Sequence, residues 1–242
     1  MPRPGGTIIG LALRWTLRLI AAWLVLTAGP VILLRWMPPL TSSFMLQARL
    51  QALSAGHFRY HAQYRWTPLT RISPQVQLAV IASEDQRFPF HDGFDLRSIR
   101  EALEDHAEGE PLRGASTISQ QTAKNLFLWG GRSYLRKALE AWFTLLMEHL
   151  WPKTRILEMY LNLAQFGDGV YGVGAAAPRY FHRSPAELSQ GQAALLAAVL
   201  PNPVRLRADH PSAYVLSRRD FIMGQMRELG GVAYLHNLMK RP

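Results

Sequence analysis

Glu84-Asp85-Gln86-Arg87-Phe88-Pro89-Phe90-His91-Asp92-Gly93-Phe94-Asp95 is the stretch on which the reading of this chain turns. Its twelve residues hold four acids, one histidine and three phenylalanines. Just upstream, Ser73-Pro74 is a helix start, with serine at the N-cap and proline at the first helical position. Val76, Ala79, Val80 and Ala82 follow at helical spacing. Glu84 comes four residues after Val80 and three after Ile81, so it shares their side of the helix and projects from the last turn. Burial and the negative end of a helix dipole both disfavour an ionised carboxylate. A carboxylate biased in that way suits a general base working near neutral pH. Taken alone, the same residues also read as an acidic pair at a surface helix end, and the other segments must decide.

The chain has 242 residues, enough for one sizeable domain or one domain plus an anchor. It carries 27 Lys+Arg against 17 Asp+Glu, a formal net charge of +10 that suits an anionic partner. There is no cysteine, which excludes disulfides, thiolate metal sites and a cysteine nucleophile.

Residues Leu19 to Leu34 are uncharged, and Thr7 to Leu13 are apolar as well. Arg14 and Arg18 can snorkel to an interface, which extends the usable span. Trp15, Trp23 and Trp36 have the character of interfacial anchors. Arg3, Arg14 and Arg18 precede the apolar core and only Arg35 closely follows it, which places the N-terminus in the cytoplasm and the remainder outside. A cleaved signal peptide and a buried core helix are the rival readings. Pro38-Pro39 follows the apolar run where a small-x-small cleavage site is wanted, which favours an uncleaved anchor. The expected division is an anchor and cytoplasmic tip at 1–40, a membrane-proximal linker with a short strand at 41–72, and a catalytic domain at 73–242.

Phe44 to Leu53 read as a short helix near the membrane. Phe58, Tyr60, Ala62, Tyr64 and Trp66 alternate with Arg59, His61, Gln63 and Arg65, which predicts a strand. Aromatics interleaved with basic residues also fit a nucleic-acid surface, but the anchor argues against one. After residue 73 the pattern is helical almost throughout. Asp95 caps a helix carrying Leu96, Ile99 and Leu103. Ser116 is expected to cap Thr117 to Phe127, where Gln120 and Lys124 share one face and Gln121 and Asn125 the next. Ser133 caps a helix to Leu150, with a core stripe of Leu135, Ala138, Leu139, Trp142, Leu145 and Leu146. Its other stripe is Lys137, Glu140, Ala141, Thr144 and Glu148. Thr154 is expected to cap the helix of Ile156 to Leu163. The glycine-rich run Phe166 to Gly174 lacks a Gly-Lys-Ser/Thr ending and follows a helix, so it is no phosphate loop. Ser184-Pro185-Ala186-Glu187 is a capping box. The apolar Gln192 to Leu200 belongs in the domain centre, and a last helix runs from about Ser212 to Leu229 before Gly230-Gly231.

These residues resemble the family 51 peptidoglycan glycosyltransferases. Glu84-Asp85, Phe88, His91 and Gly93 match that family's first signature. Gly114, Ser116-Thr117-Ile118, Gln120-Gln121 and Lys124-Asn125 match the second, and Arg136-Lys137 with Glu140 match the third. Ile156-Leu157-Glu158, Tyr160-Leu161-Asn162, Gly167, Gly172 and Gly174 match the fourth. Leu188 and Ala193 to Pro201 are similar to the fifth. Thr144 departs from the pattern, where alanine is common. The final forty residues match no motif.

The resemblance implies a mostly α fold. It has a lysozyme-like helical glycosyltransferase domain with a small membrane-proximal lobe, joined to an N-terminal transmembrane helix. It implies polymerisation of lipid II into glycan strands, with inversion and release of undecaprenyl diphosphate, at the periplasmic face of a bacterial inner membrane. Glu84 is the implied base. Lys124, Arg132, Arg136 and Lys137 are the implied cations for the diphosphate, and Glu140 the second essential carboxylate, orienting them or binding a divalent metal, Mg or Mn. Ser116, Thr117, Gln120, Gln121 and Asn125 are the implied sugar or phosphate contacts. Asp85, Phe88, His91, Gly93 and Gly114 support the motifs. No covalent cofactor and no nucleic acid are expected. The expected partners are lipid II, the growing strand, membrane lipids and proteins of division or elongation complexes. The resemblance also implies sensitivity to the phosphate-bearing inhibitor moenomycin. A lytic hydrolase of related fold would need neither the cations nor a lipid. A wall-binding scaffold would need neither carboxylate.

Overall fold

A computed structural model describes residues 5–109, 116–131 and 133–239, with the side chains of 5–9 and of Leu103 outside the description. The chain falls into two units, 1–39 and 40–242.

The first unit is one helix, α1 (Gly5–Leu34). Its Gly10–Leu34 portion has a mean hydropathy of 2.1 and is about 37 Å long at ~1.5 Å per residue, enough for a ~30 Å hydrocarbon core. The hydroxyls of Thr16 and Thr27 donate to the carbonyls of Ala12 and Trp23, four residues back, so neither is left unsatisfied among apolar neighbours. The guanidinium of Arg18 lies over the Trp15 ring at 5.1 Å, and that of Arg35 over Trp36 at 5.4 Å. This helix fits a single-pass membrane anchor.

The second unit is helical: α2 (Ser43–Ser54), α3 (Pro74–Glu84), α4 (Leu96–Ala107), α5 (Ile118–Phe127), α6 (Tyr134–Leu150), α7 (Lys153–Leu163), α8 (Val173–Phe181), α9 (Gln190–Val199) and α10 (Ala213–Glu228). A small sheet of β1 (Gln63–Tyr64), β2 (Gln165–Gly167) and β3 (Val170–Tyr171) has the order β1-β3-β2. β1 is parallel to β3, with Gln63 opposite Val170, and β2 is antiparallel to β3 through a bulge.

Two packings position the site. In the first, α3 lies against α9 and α10. Val76, Ala79 and Val80 of α3 and Ala193, Ala194, Ala197 and Ala198 of α9 are fully buried. Alanines on α9 let the two backbones approach closely, and dispersion and dehydration then hold them. Ser189 and Gln192 close the α9 N-terminus as a capping box. In the second, α5 lies between α6 and α7.

Several expectations need correction. The strand predicted over 58–66 is reduced to Gln63–Tyr64, because β3 offers a partner only two residues long. Beyond it the chain is held by a side chain. Asn162 accepts from the Thr67 amide (2.7 Å) and donates to the Thr67 carbonyl (2.9 Å). The cap of α5 is Thr117 rather than Ser116. Its hydroxyl accepts from the Gln120 amide, while Gln120 Oε1 accepts from the Thr117 amide. Pro152, not Thr154, stands at the N-cap of α7. The Ser184 box opens a single turn, Pro185–Glu187.

The stripes of α6 are reversed. Leu135 and Leu145 are 66% and 53% exposed, whereas Glu140, Phe143, Thr144 and Met147 are buried. Periodicity locates two faces but not which one is covered, and a helix that lines a polar cleft turns its charged face inward.

The glycine-rich run forms the β2–β3 hairpin and the entry to α8. A Cβ at Gly172 (φ +76°) would stand 2.4 Å from the Asn162 carbonyl oxygen, and one at Gly174 2.0 Å from that of Arg65. These glycines therefore serve backbone packing.

Asn162 bonds three backbone groups: both those of Thr67 and the Glu158 carbonyl at 2.8 Å. Asn162→Ala strands the buried Thr67 amide, and about 2–3 kcal/mol of stability should be lost. Urea denaturation followed by circular dichroism reads this; a loss below ~0.5 kcal/mol would refute the assignment.

Candidate active site

Asp85 follows Glu84 at the C-terminus of α3, where its amide donates to the Ile81 carbonyl at 3.0 Å. Its buried carboxylate accepts from His91 Nε2 at 2.9 and 3.0 Å and from the Ile118 amide, at the start of α5, at 3.0 Å. The Gly93 amide donates to His91 Nδ1 (3.2 Å), which assigns the Nε2 proton to the Asp85 side. Phe88 is fully buried, and the Lys153 ammonium lies 4.5 Å from its ring centre. Lys153 also pairs with Glu148 at 2.7 Å, and Ser119 donates to the same carboxylate. Asp95 caps α4 through the Arg97 and Ser98 amides and pairs with Arg87 at 3.0 Å. Burial, the largest influence, pushes the Asp95 pKa up. The Ser98 hydroxyl and amide, with Arg87 and His91, outweigh it and hold the carboxyl below its usual value.

Glu84, the last residue of α3, is partly exposed. Its Oε1 accepts from the Ser83 hydroxyl (3.1 Å) and its Oε2 from Gln121 Nε2 (2.9 Å). Gln121 is itself oriented, since its Oε1 accepts from the Tyr160 hydroxyl at 3.2 Å. Tyr160 is buried, and burial first, then Glu84 and Asp85, raise its pKa well above the usual tyrosine value. The phenol therefore keeps its proton and donates. That fixes which end of the Gln121 amide faces Glu84.

The second carboxylate, Glu140 on α6, is 3% exposed. It is paired on both oxygens, with Arg136 Nη1 at 2.7 Å and with the Lys137 ammonium. Lys124, on α5, connects the halves. Burial, the largest influence, lowers its pKa; Glu140 opposes this, Arg136 and Lys137 reinforce it, and Glu84 opposes it. Lys124, Arg136 and Lys137 thus face two carboxylates, Glu140 and Glu84, which leaves one formal positive charge unmatched. Gln121, Lys124, Asn125 and Tyr160 line a cavity of about 180 Å³ beside them.

The structure therefore gathers Glu84, Gln121, Lys124, Asn125, Arg136, Lys137 and Glu140. Thr117 and Gln120 are spent on the α5 cap, and the Thr117 hydroxyl donates to the Gly93 carbonyl at 2.7 Å. Ser116 is exposed. Gly114 and Arg132 lie outside the described residues. Both Glu140 oxygens are taken by cations, and among the described residues no group of three His, Cys, Asp or Glu is placed to hold a metal. These residues do not fit a protein-held divalent cation.

Three contributors went unread in the sequence. Tyr160 was recognised within a motif, but its contact with Gln121 was not. From the motif-less C-terminal region, Arg218 donates to Ser83 at 3.4 Å and Tyr234 donates to the Gln86 carbonyl at 2.5 Å. Phe90 meets the Tyr234 ring edge-on at 6.1 Å between centroids.

A partly exposed carboxylate can take a proton from a hydroxyl. An uncompensated cation cluster beside it can hold an anionic leaving group. A helical domain that presents both has the groups that a transfer reaction with an anionic leaving group requires. The transglycosylase family model matches residues 51–227, and the chain belongs to that family. Biosynthetic peptidoglycan transglycosylases are similar to it over nearly their whole length. Those of Klebsiella oxytoca and Salmonella heidelberg are each 52% identical over 223 residues, 92% of both chains. That of Shigella boydii serotype 4 is 51% identical over 230 residues, 95% of both chains.

Gly93 has φ +88°, and a Cβ there would stand 2.6 Å from Thr144 Cγ2. Gly93→Ala should cost about 2–3 kcal/mol, part for the left-handed backbone and part for the clash. Thr144→Ala in the same chain should recover only the clash portion. A double-mutant cycle by thermal unfolding separates the two, and strict additivity would show that the contact is absent.

Proposed function

We propose that the chain extends glycan strands from lipid II, with Glu84 as the base and the Lys124 cluster as the holder of the leaving diphosphate. The coarse activity follows from family membership: the chain is a peptidoglycan glycosyltransferase of cell-wall synthesis. One observation carries the finer reading. Gln121, which donates to Glu84 at 2.9 Å, and Lys124 line the same cavity, so the candidate base and a candidate cation for the diphosphate flank one space.

The 4-hydroxyl oxygen of the GlcNAc of lipid II attacks the anomeric carbon of the growing chain. Its proton passes to Glu84. The bond from that carbon to the diphosphate oxygen breaks, and the electron pair leaves with undecaprenyl diphosphate. One displacement inverts the anomeric centre, and one base is sufficient. The diphosphate needs positive charge rather than a proton, and Lys124, Arg136 and Lys137 supply it. Glu140 holds Arg136 and Lys137 in place. Tyr160 and Gln121 are positioning residues for Glu84. No step is routed through a metal. The arginines that precede the apolar core of α1 support a cytoplasmic N-terminus and a catalytic domain on the periplasmic face of the inner membrane.

Incubation of the purified full chain with lipid II tests this reading. Polymer is expected, and release of muropeptides from sacculi in its place would make the chain a hydrolase. Glu84→Gln should lower turnover about 100-fold or more and leave lipid II binding intact. Glu140→Gln should weaken moenomycin binding as well, because Arg136 and Lys137 lose their anchor. Equal effects on inhibitor binding would undo the division of labour.

Tyr160→Phe removes only the hydroxyl that orients Gln121. It should lower kcat about fivefold with KM unchanged, as for loss of one hydrogen bond of ~1 kcal/mol acting on the reacting group. A change confined to KM would place Tyr160 in substrate binding.

A further inference from the structure

Residues 1–83 contain eight arginines and no aspartate, glutamate or lysine. They hold +8 of the net charge of +10 (27 minus 17). Much of this charge, with the aromatic and basic run at 58–66, has no part in the catalytic reading.

Within the 40–242 unit, α2 and the segment leading into β1 enclose a cavity of about 350 Å³. Leu40, Met45 and Leu46 supply its apolar wall, Arg49 and His61 its nitrogen donors beside Thr41 and Tyr64, and no acidic residue lines it. The apolar rim is open to its surroundings: Leu40 is 95% exposed, Leu46 51% and Leu50 56%. Leu46, Leu50 and Leu53 recur at helical spacing along one face of α2, and Arg49 lies on that face between them. Only five residues of chain, 35–39, link Leu34 at the end of α1 to Leu40.

We propose that this cavity binds the headgroup phosphate of an anionic phospholipid of the bilayer that holds α1. The ligand follows from the chemistry of the lining. An apolar stripe beside a cationic recess matches a phosphodiester with acyl chains attached. The charge matches as well: one arginine helped by one histidine suits a singly charged diester. A lipid diphosphate carries more charge and finds three cations at Lys124, Arg136 and Lys137. The arginine-only stretch leaves no local carboxylate to compete for the recess. The proposal is independent of the roles given to Glu84 and Glu140.

The test uses the full chain in dodecyl maltoside and native mass spectrometry. Dioleoyl phosphatidylglycerol and dioleoyl phosphatidylcholine are titrated in turn. The chain should retain the anionic lipid about tenfold more strongly than the zwitterionic one. Arg49→Gln should cut that retention about fivefold, as one cation at a lipid surface is worth ~1 kcal/mol. Arg49→Gln with His61→Gln should bring it to the level of phosphatidylcholine. Arg59→Gln, on the same segment but outside the cavity, should change nothing. Both Arg49 and His61 are exposed, so the melting curve should not move and a folding defect is not confused with lost binding. Equal retention of the two lipids, or an equal loss with Arg59→Gln, would overturn the proposal in favour of diffuse attraction. Displacement by millimolar inorganic phosphate would make the site one for free phosphate. Displacement by an equal amount of undecaprenyl diphosphate would return it to the substrate.

Discussion

Asp85 accepts hydrogen bonds from a histidine ring and from the first amide of α5 while buried at the end of α3. A carboxylate in that position is costly unless every lone pair has a partner, so its partners cannot drift without a penalty of ~1.5–3 kcal/mol. This requirement joins three pieces of chain: the C-terminus of one helix, the loop of His91, and the N-terminus of another helix, which the bond from the Thr117 hydroxyl to the Gly93 carbonyl also ties to the loop. Glu84 and Gln121 lie one and three residues from the two ends of that clasp. Their 2.9 Å contact is therefore a product of Asp85 as much as of themselves. The negative charge also lies at the positive end of the α5 dipole, which adds to the hold.

Charge in the second half of the site follows a different logic. Glu140 is buried, with Arg136 largely covered and Lys137 half exposed, and an ion pair that buries a carboxylate gains little net stability over apolar packing. Its value lies in geometry. Arg136 and Lys137 carry long side chains, which scatter over many rotamers when unpaired. Glu140 gathers both, so the cationic face exists before any anion arrives and less ordering is left for the moment of binding.

The helices were legible in the sequence because each rests on local chemistry. Ser73-Pro74, Asp95 and Ser133 all cap the helices they were expected to cap. What stayed hidden depends on distant partners. The direction of the α6 faces could not be read, since Glu140 is turned inward by Arg136, Lys137 and Lys124 rather than by its own polarity. The strand at 58–66 had the right alternation, but its length was set by β3, a hundred residues later. Thr117 displaced Ser116 as a cap because its hydroxyl also reaches the Gly93 carbonyl, a bond that exists only after the loop has docked. The final forty residues showed their helix but not their contacts, for the same reason: Arg218 and Tyr234 reach Ser83 and Gln86 through single hydrogen bonds, and no pattern within their own segment announces them.

The Tyr234 contact with Gln86 has a consequence in time. The loop at 84–95 is made early in synthesis, but one of its backbone carbonyls and the Phe90 ring find their partners only at residue 234. A ribosome adds residues at roughly 5–20 per second, so about 150 residues correspond to some 7–30 seconds of elongation. During that interval the first signature has its internal clasp but not its outer buttress. The catalytic loop is thus among the first motifs translated and among the last to be completed, and a chain released early leaves that buttress unbuilt.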